Sequence, residues 1–523
     1  MLVLGIHDGH NASACVVRDG VVLAALAEER LTNVKNQSGV PRLAIQKVLE
    51  ISGVDPEDID VVAVSSLLRA GDPLAPRAWP LRVLERIPFG VPYVGIMKHF
   101  RRTDLEITAP RQFVEHHAAH AALAYYQRPW TEKTLILTLD GAGDGLSATV
   151  SIGQGQSIRR IAQTSYYDSL SNNLYSEVTG YLGMKRWEHE YKLMGLAPYG
   201  KPEILLGQLQ KLFALEGLRF VNRTGRYARG QQPLLSKLFA GQRFDNIAAA
   251  AQKHFENLVT AWVRNAIKAT GIKRIVCSGG SFLNVKTNQL IRQMPEVDEV
   301  FFHPVCDDVG TSVGAALAVC QKHVPLDNLY WGIQYPDVKI KSAIRPGNMA
   351  KTVAKLLAQG KIVARFAGRD EFGPRALGNR SILADPRSCE VIRKINFAIK
   401  MRDFWMPFAP AILEEDAPKY LKNYRPTPFM IESFATTGKA KEIIAGLHPF
   451  DLSCRPQTIN RQQNPQFYDI IREFKKLTGV GAVLNTSFNL HGFPIVGTPE
   501  AAITTFLNSG LDALAIGRYL VLK

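Results

Sequence analysis

Three stretches of the chain combine consecutive apolar, often β-branched residues with a turn rich in glycine or acidic residues. They lie at residues 2–17, 134–152 and 274–284, and each pattern predicts a buried strand that ends in a turn. Backbone N–H groups in such turns can approach an anion closely. The pattern therefore favours a phosphate or nucleotide held between two α/β lobes, with ordinary tight turns between strands as the alternative.

Helical periodicity marks two further segments and a region beyond the middle of the chain. Apolar residues recur at helical spacing in 41–53 and 246–271, and both segments end at a glycine. At 342–366 a Pro-Gly turn precedes a new helix and then a strand, which predicts a domain boundary there. We therefore expect two α/β units, residues 1–344 and 345–523.

The composition is that of a folded globular protein. Hydrophobic residues make up 46% and charged residues 21% of the 523 residues, and a chain of this length predicts two or three domains. The sequence contains no run of 18 or more apolar residues, and the opening "MLVLGIHDGH" lacks the basic start and long apolar centre of a signal peptide. We expect a cytoplasmic protein without membrane insertion.

Charge and cysteine content limit the classes of partner and site. The formal net charge of +16 favours anionic partners, namely nucleic acid, an acidic membrane surface or phosphorylated small molecules. Local basic clusters lie at 98–102 and 219–230, and neither is a long basic tail. The six cysteines form no Cys-x-x-Cys pair, which argues against a cysteine zinc site and against a disulfide framework.

The segment "FVEHHAAHAALAYY" contains a pair of histidines with metal-ligand spacing. His116 and His120 are four residues apart, so a helix would place them on one face, whereas His117 would point elsewhere. Two imidazoles need a third ligand, and Asp307 and Asp308 follow a probable strand in "HPVCDDVGTSVGAALAV". Two histidines and one carboxylate leave coordination positions open for a substrate oxygen. Purely structural histidines are the alternative.

The C-terminal part contains three clusters that suit a phosphate. Arg375 and Arg380 lie in a turn rich in glycine and proline. Lys400 and Arg402 occupy alternate positions, so an extended chain would direct both to one side. Guanidinium forks and an ammonium group match a doubly charged phosphate, and polar residues follow an apolar strand further on: Asn485, Ser487 and Asn489. A salt-bridged surface is the alternative for any one cluster.

A further histidine lies beside the first glycine-containing turn. His10, in "HDGHNASA", could act as a general base, because the pKa of an unperturbed histidine lies near neutral pH. A surface or structural histidine is an equal alternative on local sequence.

Ten motifs, in order, carry a resemblance over nearly the whole chain: "HNASA", "AEERLT", "HHAAHAA", "LDGAGDG", "KLMGLAPYG", "GGSFLN", "DDVGTSVGAA", "GPRALGNRSILADPR", "RPQTINRQQNPQFYDII" and "LNTSFN". The chain resembles the NodU/CmcH family of O-carbamoyltransferases, which modify natural products, sugars and nodulation factors. The resemblance implies an N-terminal domain like the tRNA threonylcarbamoyl-transferase, of the actin/sugar-kinase fold, and a C-terminal YrdC-like α/β domain.

The resemblance also implies roles for individual residues. Iron-type metal ligands would be His116, His120 and Asp308, the last chosen because it stands in the motif's D-x-G, and His10 would be the proton acceptor. Lys400 with Arg402 matches a K-x-R motif and Ser487 with Asn489 an S-x-N motif, and Lys400 and Arg402 are expected to be catalytic. The remaining nucleotide and carbamoyl phosphate contacts would be Lys35, Asp140, Gly279, Gly280, Asn284, Arg375, Arg380, Arg455, Asn485, Ser487 and Asn489.

A two-step reaction follows from this resemblance. The C-terminal domain would form carbamoyl-adenylate from carbamoyl phosphate and ATP with Mg²⁺, and the N-terminal domain would transfer the carbamoyl group to a hydroxyl of a small-molecule acceptor, with iron(II) or a similar divalent metal as cofactor. No nucleic acid partner is expected, a homodimer is one oligomeric state to consider, and the acceptor is not specified. A tRNA-modifying threonylcarbamoyl enzyme, which the charge of +16 would suit, and an inactive nucleotide-binding scaffold are the alternatives.

Two departures from the family pattern concern the acceptor and nucleotide contacts. After "AEERLT" the chain continues "NVKNQSG", which keeps Lys35 but places Asn33 and Asn36 where charged or aromatic residues are expected. Before "MGLAPYG", Tyr191 replaces an expected glycine in "EHEYKL". The reaction class is unaffected by these changes, whereas the shape of the acceptor side is expected to differ.

Overall fold

The structure is a computed structural model that describes residues 1–67, 107–337, 340 and 343–523, so the basic cluster at 98–102 lies outside the described residues. Within that part of the chain, strands form three large sheets and one hairpin. The strands are β1 Leu2–His7, β2 Ser13–Arg18, β3 Val21–Ala27, β4 Val61–Ser65, β5 Arg111–Val114, β6 Thr134–Gly143, β7 Leu146–Gln154, β8 Ser157–Ser165, β9 Phe213–Glu216, β10 Arg219–Asn222, β11 Arg274–Ser278, β12 Glu299–Phe302, β13 Val363–Phe366, β14 Arg380–Ala384, β15 Ala409–Leu413, β16 Gln457–Ile459, β17 Ala482–Ser487, β18 Ala513–Ile516 and β19 Tyr519–Leu522.

The α-helices range from single turns to one helix of 27 residues. They are α1 Glu29–Thr32, α2 Arg42–Ser52, α3 His116–Tyr126, α4 Glu177–Tyr181, α5 Glu190–Leu196, α6 Leu206–Leu209, α7 Gln232–Phe239, α8 Phe244–Thr270, α9 Val285–Arg292, α10 Thr311–Cys320, α11 Met349–Ala358, α12 Glu390–Ile395, α13 Ala417–Tyr420, α14 Pro465–Thr478 and α15 Pro499–Leu507. None of the described helices combines the length and apolarity needed to cross a membrane.

The predicted strands and helices are present. Each of the first two apolar stretches forms a pair of antiparallel strands, β1 with β2 and β6 with β7, and the third forms β11. The helices α2 and α8 end at Gly53 and Gly271, whose φ angles of 61° and 69° are left-handed. Glycine ends a helix in this conformation without a Cβ clash.

Two five-stranded sheets in the N-terminal part have the same topology. Their strand orders are β3-β2-β1-β4-β5 and β8-β7-β6-β11-β12. In each, three consecutive strands pair antiparallel and two later strands add in parallel beside the first. This repeated order confirms the predicted two-lobed domain of the actin/sugar-kinase type.

The two lobes meet along α3 and α10. Helix α3 packs on the second sheet, α10 packs on the first, and the two helices contact each other along their length. Small side chains permit this close approach: a Cβ on Gly314 would lie 2.1 Å from the backbone oxygen of Ala119. Residues at the start of α3 and just before α10 are therefore brought together between the lobes.

The C-terminal part is built on a mixed seven-stranded sheet in the order β16-β15-β17-β14-β13-β18-β19. One face carries a core with α11 and α14, and the other carries a second core with α12 and α15. The α/β class predicted for this part is confirmed, and its YrdC likeness stays a prediction. Ile344 pairs with Leu520 of β19. The chain therefore contacts this sheet just before residue 345, where the boundary is predicted.

Candidate functional site

Four side chains converge where the lobes meet. Their ligand atoms all lie within 4.8 Å of one another, and they belong to His116, His120, Asp140 and Asp308. The two imidazole Nε2 atoms lie 3.1 Å apart, and Asp308 Oδ1 lies 3.5 Å from the first and 3.6 Å from the second. Nitrogen atoms this close to each other and to two carboxylates need protons or a cation between them. The donor set fits a divalent metal.

Hydroxyl groups on the far side of each imidazole orient the two rings. Ser66 Oγ lies 3.2 Å from Nδ1 of His116, and Ser278 Oγ lies 3.2 Å from Nδ1 of His120. An Nδ1–H group that donates to a hydroxyl leaves the Nε2 lone pair facing the cluster. Gly143 leaves space for the ring of His116, because a Cβ at this position would lie 2.1 Å from Cδ2 of His116.

Asp140 connects the cluster to the glycine turn after β11. Its Oδ2 lies 3.3 Å from Nε2 of His116, and its Oδ1 accepts a hydrogen bond of 2.9 Å from the N–H of Gly280. Gly279 has a φ of 108°, and a Cβ there would lie 2.2 Å from the backbone oxygen of Leu139. Only glycine fits at this point, so the turn that was predicted to bind adenylate shares a carboxylate with the candidate metal centre.

The charges within the cluster stabilise one another. Burial alone would lower the pKa of His116, but the carboxylates of Asp308 and Asp140 more than offset this and raise that pKa to about 10. Burial alone would raise the pKa of Asp308, but the two imidazoles hold it well below its usual range. A site that retains a proton this strongly offers the same favourable field to a metal cation.

The other histidines near the cluster have separate positions. His117 lies outside the four-residue group, with Nδ1 2.8 Å from Thr138 Oγ1. His10, the predicted proton acceptor, has an exposed side chain, and its backbone oxygen lies 2.9 Å from Nε2 of His7. His7 is buried, and Asp308 acts on its pKa in opposition to the larger lowering effect of burial. The motif drew attention to His10 alone, although His7 ends a fully buried strand.

Lys400 binds both members of the S-x-N motif. Its ammonium group donates to Oγ of Ser487 at 3.1 Å and to Oδ1 of Asn489 at 2.6 Å. Burial and the charge of Arg402 lower the pKa of Lys400 well below its usual value. The lysine is buried and its donors are used by Ser487 and Asn489, so an anion would feel its charge through these two residues.

A cavity of about 280 Å³ lies between the N-terminal and C-terminal parts. The C-terminal wall carries three arginines together with the S-x-N residues: Arg375, Arg402, Arg455, Ser487 and Asn489. Burial and the neighbouring guanidinium groups lower the pKa of Arg455 well below its usual value. Three mutually repelling cations in one enclosed space are suited to a multiply charged anion.

The N-terminal part supplies the opposite wall of this cavity. Its lining includes Lys35, Asn36, Tyr191 and Asp307. Burial, and then the charge of Asp308, raise the pKa of Asp307 to about 7, while Arg375 across the cavity opposes this. The cavity therefore extends from the S-x-N residues to the residue adjacent to a candidate metal ligand.

Two descriptions of known protein families match the chain. A family described as "Carbamoyltransferase N-terminus" matches residues 91–317, and one described as "Carbamoyltransferase C-terminus" matches residues 354–523. The chain belongs to the carbamoyltransferase family. The two matches contain all four residues of the cluster and the three arginines of the cavity's C-terminal wall, whereas Arg30 and Lys35 on the opposite wall precede the matched residues.

Several relatives of this carbamoyltransferase align over most of its length. Nodulation protein NolNO of Sinorhizobium fredii is 34% identical over 98% of this chain and 79% of its own. The uncharacterized protein MJ1051 of Methanocaldococcus jannaschii is 34% identical over the whole of both chains. Nodulation protein NolO of Bradyrhizobium diazoefficiens is 35% identical over 78% of this chain and 79% of its own.

Among solved structures, full-length HypF in the phosphate- and nucleotide-bound form is 16% identical and covers 61% of this chain and 46% of its own, with a TM-score of 0.34. A structural likeness of this size does not identify the fold or the function of this chain.

Two residues predicted to bind phosphate have other roles in this carbamoyltransferase. Arg380 is fully buried, and its guanidinium donates to backbone oxygens of Ala367, Gly368 and Ile333. Asn485 is also buried and donates to Ala376 O and to a side chain. Neither residue lines the cavity. A direct phosphate contact of Arg380 stays a prediction, and in this structure its donors are used by the backbone that shapes the turn.

The K-x-R motif also differs from the predicted extended chain. Lys400 ends a π-helical turn, Asn396–Lys400, and Met401 has a left-handed φ of 44°. This turn, rather than the alternation of a strand, brings Lys400 and Arg402 close enough for their charges to interact. Asn284 likewise serves the backbone, since its Oδ1 caps α9 by accepting from the N–H of Thr287.

The asparagine departures have a conformational cause. Asn33 and Asn36 have φ angles of 57° and 55°, and asparagine adopts this left-handed region more readily than most side chains. Between them, Lys35 lines the cavity and pairs with Glu188 at 3.3 Å. The two asparagines thus allow a tight backbone conformation in this segment, and Lys35 still reaches the cavity.

Proposed function

We propose that this carbamoyltransferase is an ATP-dependent O-carbamoyltransferase that works in two steps. In the C-terminal site, carbamoyl phosphate and ATP would react to give carbamoyl-adenylate and pyrophosphate, with ATP bound as its Mg²⁺ complex. In the N-terminal site, the carbamoyl group would pass to a hydroxyl of a small-molecule acceptor. The observation that carries the proposal is the single cavity, lined by Arg375, Arg402 and Arg455 on one side and reaching Asp307 on the other.

The C-terminal residues are suited to the first step through charge. Arg375, Arg402 and Arg455 line the cavity and would neutralise phosphate oxygens. Lys400 would add its charge through Ser487 and Asn489, which it binds and which line the same cavity. Electrostatic stabilisation of this kind is most effective where water is excluded. The enclosed cavity also protects a mixed anhydride from hydrolysis on its way to the second site.

The N-terminal residues are suited to the second step. His116, His120, Asp140 and Asp308 would hold a divalent metal, which as a Lewis acid would polarise the carbamoyl carbonyl. The Gly280 N–H, held by Asp140, would keep the adenylate loop beside that centre. His10 is the predicted acceptor of the hydroxyl proton. The identity of the metal and the role of His10 are part of the proposal.

Pyrophosphate release tests both sites at once. We would measure its release from ATP with and without carbamoyl phosphate in the wild type and in Lys400→Ala and His116→Ala, with Lys361→Ala as a matched control. Lys361 is half-exposed and pairs with Asp512 at the surface. Release that depends on carbamoyl phosphate, disappears in Lys400→Ala and persists in His116→Ala supports the assignment. Release independent of carbamoyl phosphate, or its loss in Lys361→Ala, contradicts it.

A further inference from the structure

A carboxylate lines the cavity that is proposed to bind anions. The Oδ1 atom of Asp307 is buried and has no hydrogen-bond partner in the part of the chain that the structure describes. A carboxylate repels phosphate oxygens, and a buried acceptor without a donor costs free energy. Asp307 is also not one of the four residues of the candidate metal cluster. Its place in this cavity therefore indicates a ligand group that donates hydrogen bonds.

The cations of the cavity cannot pair with such a group. Arginine and lysine side chains donate hydrogen bonds and accept none, and they occur on both walls: Arg30, Lys35, Lys286, Arg375, Arg402 and Arg455. The second carboxylate among the described lining residues belongs to Glu29, whose Oε2 already accepts a bond of 2.9 Å from the N–H of Asn36. Asp307 is therefore the carboxylate of this cavity that has a buried oxygen open to a donor.

A second acceptor without a partner lines the same cavity. It is Oδ1 of Asn11, which is likewise buried and unpartnered among the described residues. Two residues later, Ser13 Oγ donates to the backbone oxygen of Val309 at 2.8 Å, so the segment with Asn11 lies against the segment with Asp307. Two acceptors on adjoining segments match a group that carries two N–H donors on one nitrogen.

The backbone around Asp307 places its side chain between the adenylate loop and the candidate metal cluster. Gly279 of this loop, which follows β11, donates to the backbone oxygen of Cys306 at 2.8 Å. Asp307 itself is extended, with φ −78° and ψ −179°, and successive side chains of an extended chain point to opposite sides. Asp308 therefore faces the cluster while Asp307 faces the cavity.

We propose that Asp307, together with Asn11, binds the amino group of the carbamoyl moiety and thereby selects carbamoyl-adenylate over other acyl-adenylates; this rests on the proposed function and names residues that set its donor specificity. The planar carbamoyl carbon carries a carbonyl oxygen, an oxygen bonded to the adenylate phosphorus, and an amino group. The proposed function directs the carbonyl oxygen to the candidate metal cluster and the adenylate to its loop, so the amino group needs a third partner.

An acetyl group is the comparison that isolates this contact. It has nearly the same shape as a carbamoyl group, but it presents a methyl where the carbamoyl group presents two N–H donors. A bound acetyl-adenylate would leave the acceptors of Asp307 and Asn11 buried and unpaired, and a site built to hydrogen-bond an N–H group rejects an analogue that lacks it.

Binding of two stable adenylate analogues tests this assignment without catalysis. The analogues are 5′-O-(N-carbamoylsulfamoyl)adenosine and 5′-O-(N-acetylsulfamoyl)adenosine, which differ only by an amino group in place of a methyl. Each is titrated by calorimetry into the intact wild type and into Asp307→Leu, Asp307→Asn, Asn11→Gly and Glu29→Gln. Glu29→Gln is the matched control, because it removes a carboxylate charge from the same cavity while its amide oxygen can still accept from Asn36.

The ratio of the two affinities is the expected signature. The wild type should bind the carbamoyl analogue about tenfold or more tightly than the acetyl analogue. In Asp307→Leu the ratio should fall to about one, chiefly through weaker binding of the carbamoyl analogue, and Asp307→Asn, which keeps one acceptor, should recover part of it. Asn11→Gly should lower the ratio as well. Glu29→Gln should change both affinities by the same factor and leave the ratio unaltered.

The variants are expected to fold. The side chain of Asp307 makes no capping bond, so Asp307→Leu should unfold at no lower temperature than the wild type. Asn11 has a φ of 62°, which glycine adopts without strain. A lowered ratio in either variant therefore reports the loss of an acceptor rather than the loss of the fold.

Other outcomes separate the amino-group site from the proposed function. Equal binding of the two analogues by the wild type, or a ratio that is unchanged in Asp307→Leu, would overturn the site, and normal carbamoyl-phosphate-dependent pyrophosphate release alongside it would retain the reaction. An equal fall of the ratio in Glu29→Gln and Asp307→Leu would also overturn the site, because charge alone would then decide. A preference that requires Asp307, in a protein without that pyrophosphate release, would retain the site and reject the reaction.

Discussion

The arginines of this protein divide into two kinds that the sequence does not distinguish. Arg380 is fully buried and uses its donors on backbone oxygens. Arg375, Arg402 and Arg455 face one cavity, and each of these guanidinium groups carries a lowered pKa because of burial and, for Arg402 and Arg455, a neighbouring cation. Arg380 therefore stabilises the fold. The three cavity arginines are suited to bind an anion, and keeping their repelling charges buried lowers the free energy of unfolding.

This division predicts opposite effects of the same substitution. Arg455→Met removes a repelled cation, so we expect the free energy of unfolding to rise by about 1–2 kcal/mol while pyrophosphate release is lost. Arg380→Met leaves the backbone oxygens of Ala367 and Ile333 without this donor and removes one of the two arginines beside Asp370, so we expect a loss of about 3–5 kcal/mol. Denaturant unfolding of both variants, with the pyrophosphate assay, checks this. Equal destabilisation by both substitutions would contradict the distinction.

The lowered pKa of Lys400 predicts that the free energy of unfolding and the binding of an anion depend on pH. Its pKa is well below the usual value because of burial and Arg402, so in the window between the lowered pKa and the ordinary value of about 10.4 the unfolded chain binds more protons than the folded protein. The free energy of unfolding should rise with pH across that window, and an anion that recharges the lysine should bind with proton uptake.

Calorimetry in two buffers of different ionisation enthalpy measures this uptake when carbamoyl phosphate is added. Lys400→Met should abolish the uptake, whereas Lys361→Met should leave it unchanged. Proton release on binding, or uptake that survives in Lys400→Met, would show that another group titrates.

The residues of the candidate metal cluster were only partly predictable. His116 and His120 are four apart on one helix, so local spacing is enough to pair them, and Asp308 follows from its motif. Asp140 was expected to contact nucleotide, and its 3.3 Å approach to His116 depends on how a strand end and a helix start are packed. His7 was missed for a similar reason, because it is close to Asp308 only in the folded chain.

At the scale of elements, the contact between α3 and α10 sets the geometry of the candidate metal cluster. Helix α3 begins with His116, and α10 begins three residues after Asp308. A helix with His116 and His120 on one face and a Gly/Ala-rich helix after Asp308 were predictable from the local sequence. Their crossing distance was not, because it depends on which small residue faces which backbone oxygen, as Gly314 faces Ala119. The K-x-R turn was mispredicted because Met401 is left-handed, and no periodicity signals that.

Gly314→Ala should therefore disturb the metal cluster from a distance. A Cβ 2.1 Å from Ala119 O must push the helices apart, and we expect a loss of about 1–3 kcal/mol in the free energy of unfolding and weaker retention of metal. Elemental analysis of the purified protein after dialysis measures the retention. Gly438→Ala, where a Cβ would meet nothing within 4 Å, is the control. Unchanged metal content in Gly314→Ala would mean that the crossing does not fix the ligands.

At the scale of the whole molecule, Arg30 of α1 connects the N-terminal part to the C-terminal part through a hydrogen bond and an ion pair. Arg30 is buried, donates to Gly373 O at 2.9 Å, and lies 3.6 Å from Asp370. In the other direction, Arg369 donates to Leu23 O at 3.0 Å. The two-part organisation was predictable from the order of motifs, but these bonds join residues more than 340 positions apart, and no local pattern reports them.

Arg30→Met should uncouple the two steps. Loss of the bond to Gly373 loosens the turn that carries Arg375 and opens the cavity wall, so carbamoyl-adenylate should escape and hydrolyse. We expect pyrophosphate release to continue while the carbamoylated product formed per pyrophosphate falls severalfold. Arg18→Met, at an exposed residue at the end of β2, should leave this ratio unchanged. If the amount of carbamoylated product per pyrophosphate is unchanged in Arg30→Met, the contacts of Arg30 do not close the cavity.

The reciprocal bonds of Arg30 and Arg369 also restrict how such an enzyme can diversify. A chimaera that joined the N-terminal part of one relative to the C-terminal part of another would bring together buried charges and backbone oxygens that had not changed in concert. New acceptor specificity is therefore easier to acquire through single substitutions on the N-terminal wall of the cavity, such as at Tyr191, than through exchange of whole domains. We expect natural variation in acceptor choice to be concentrated at such positions.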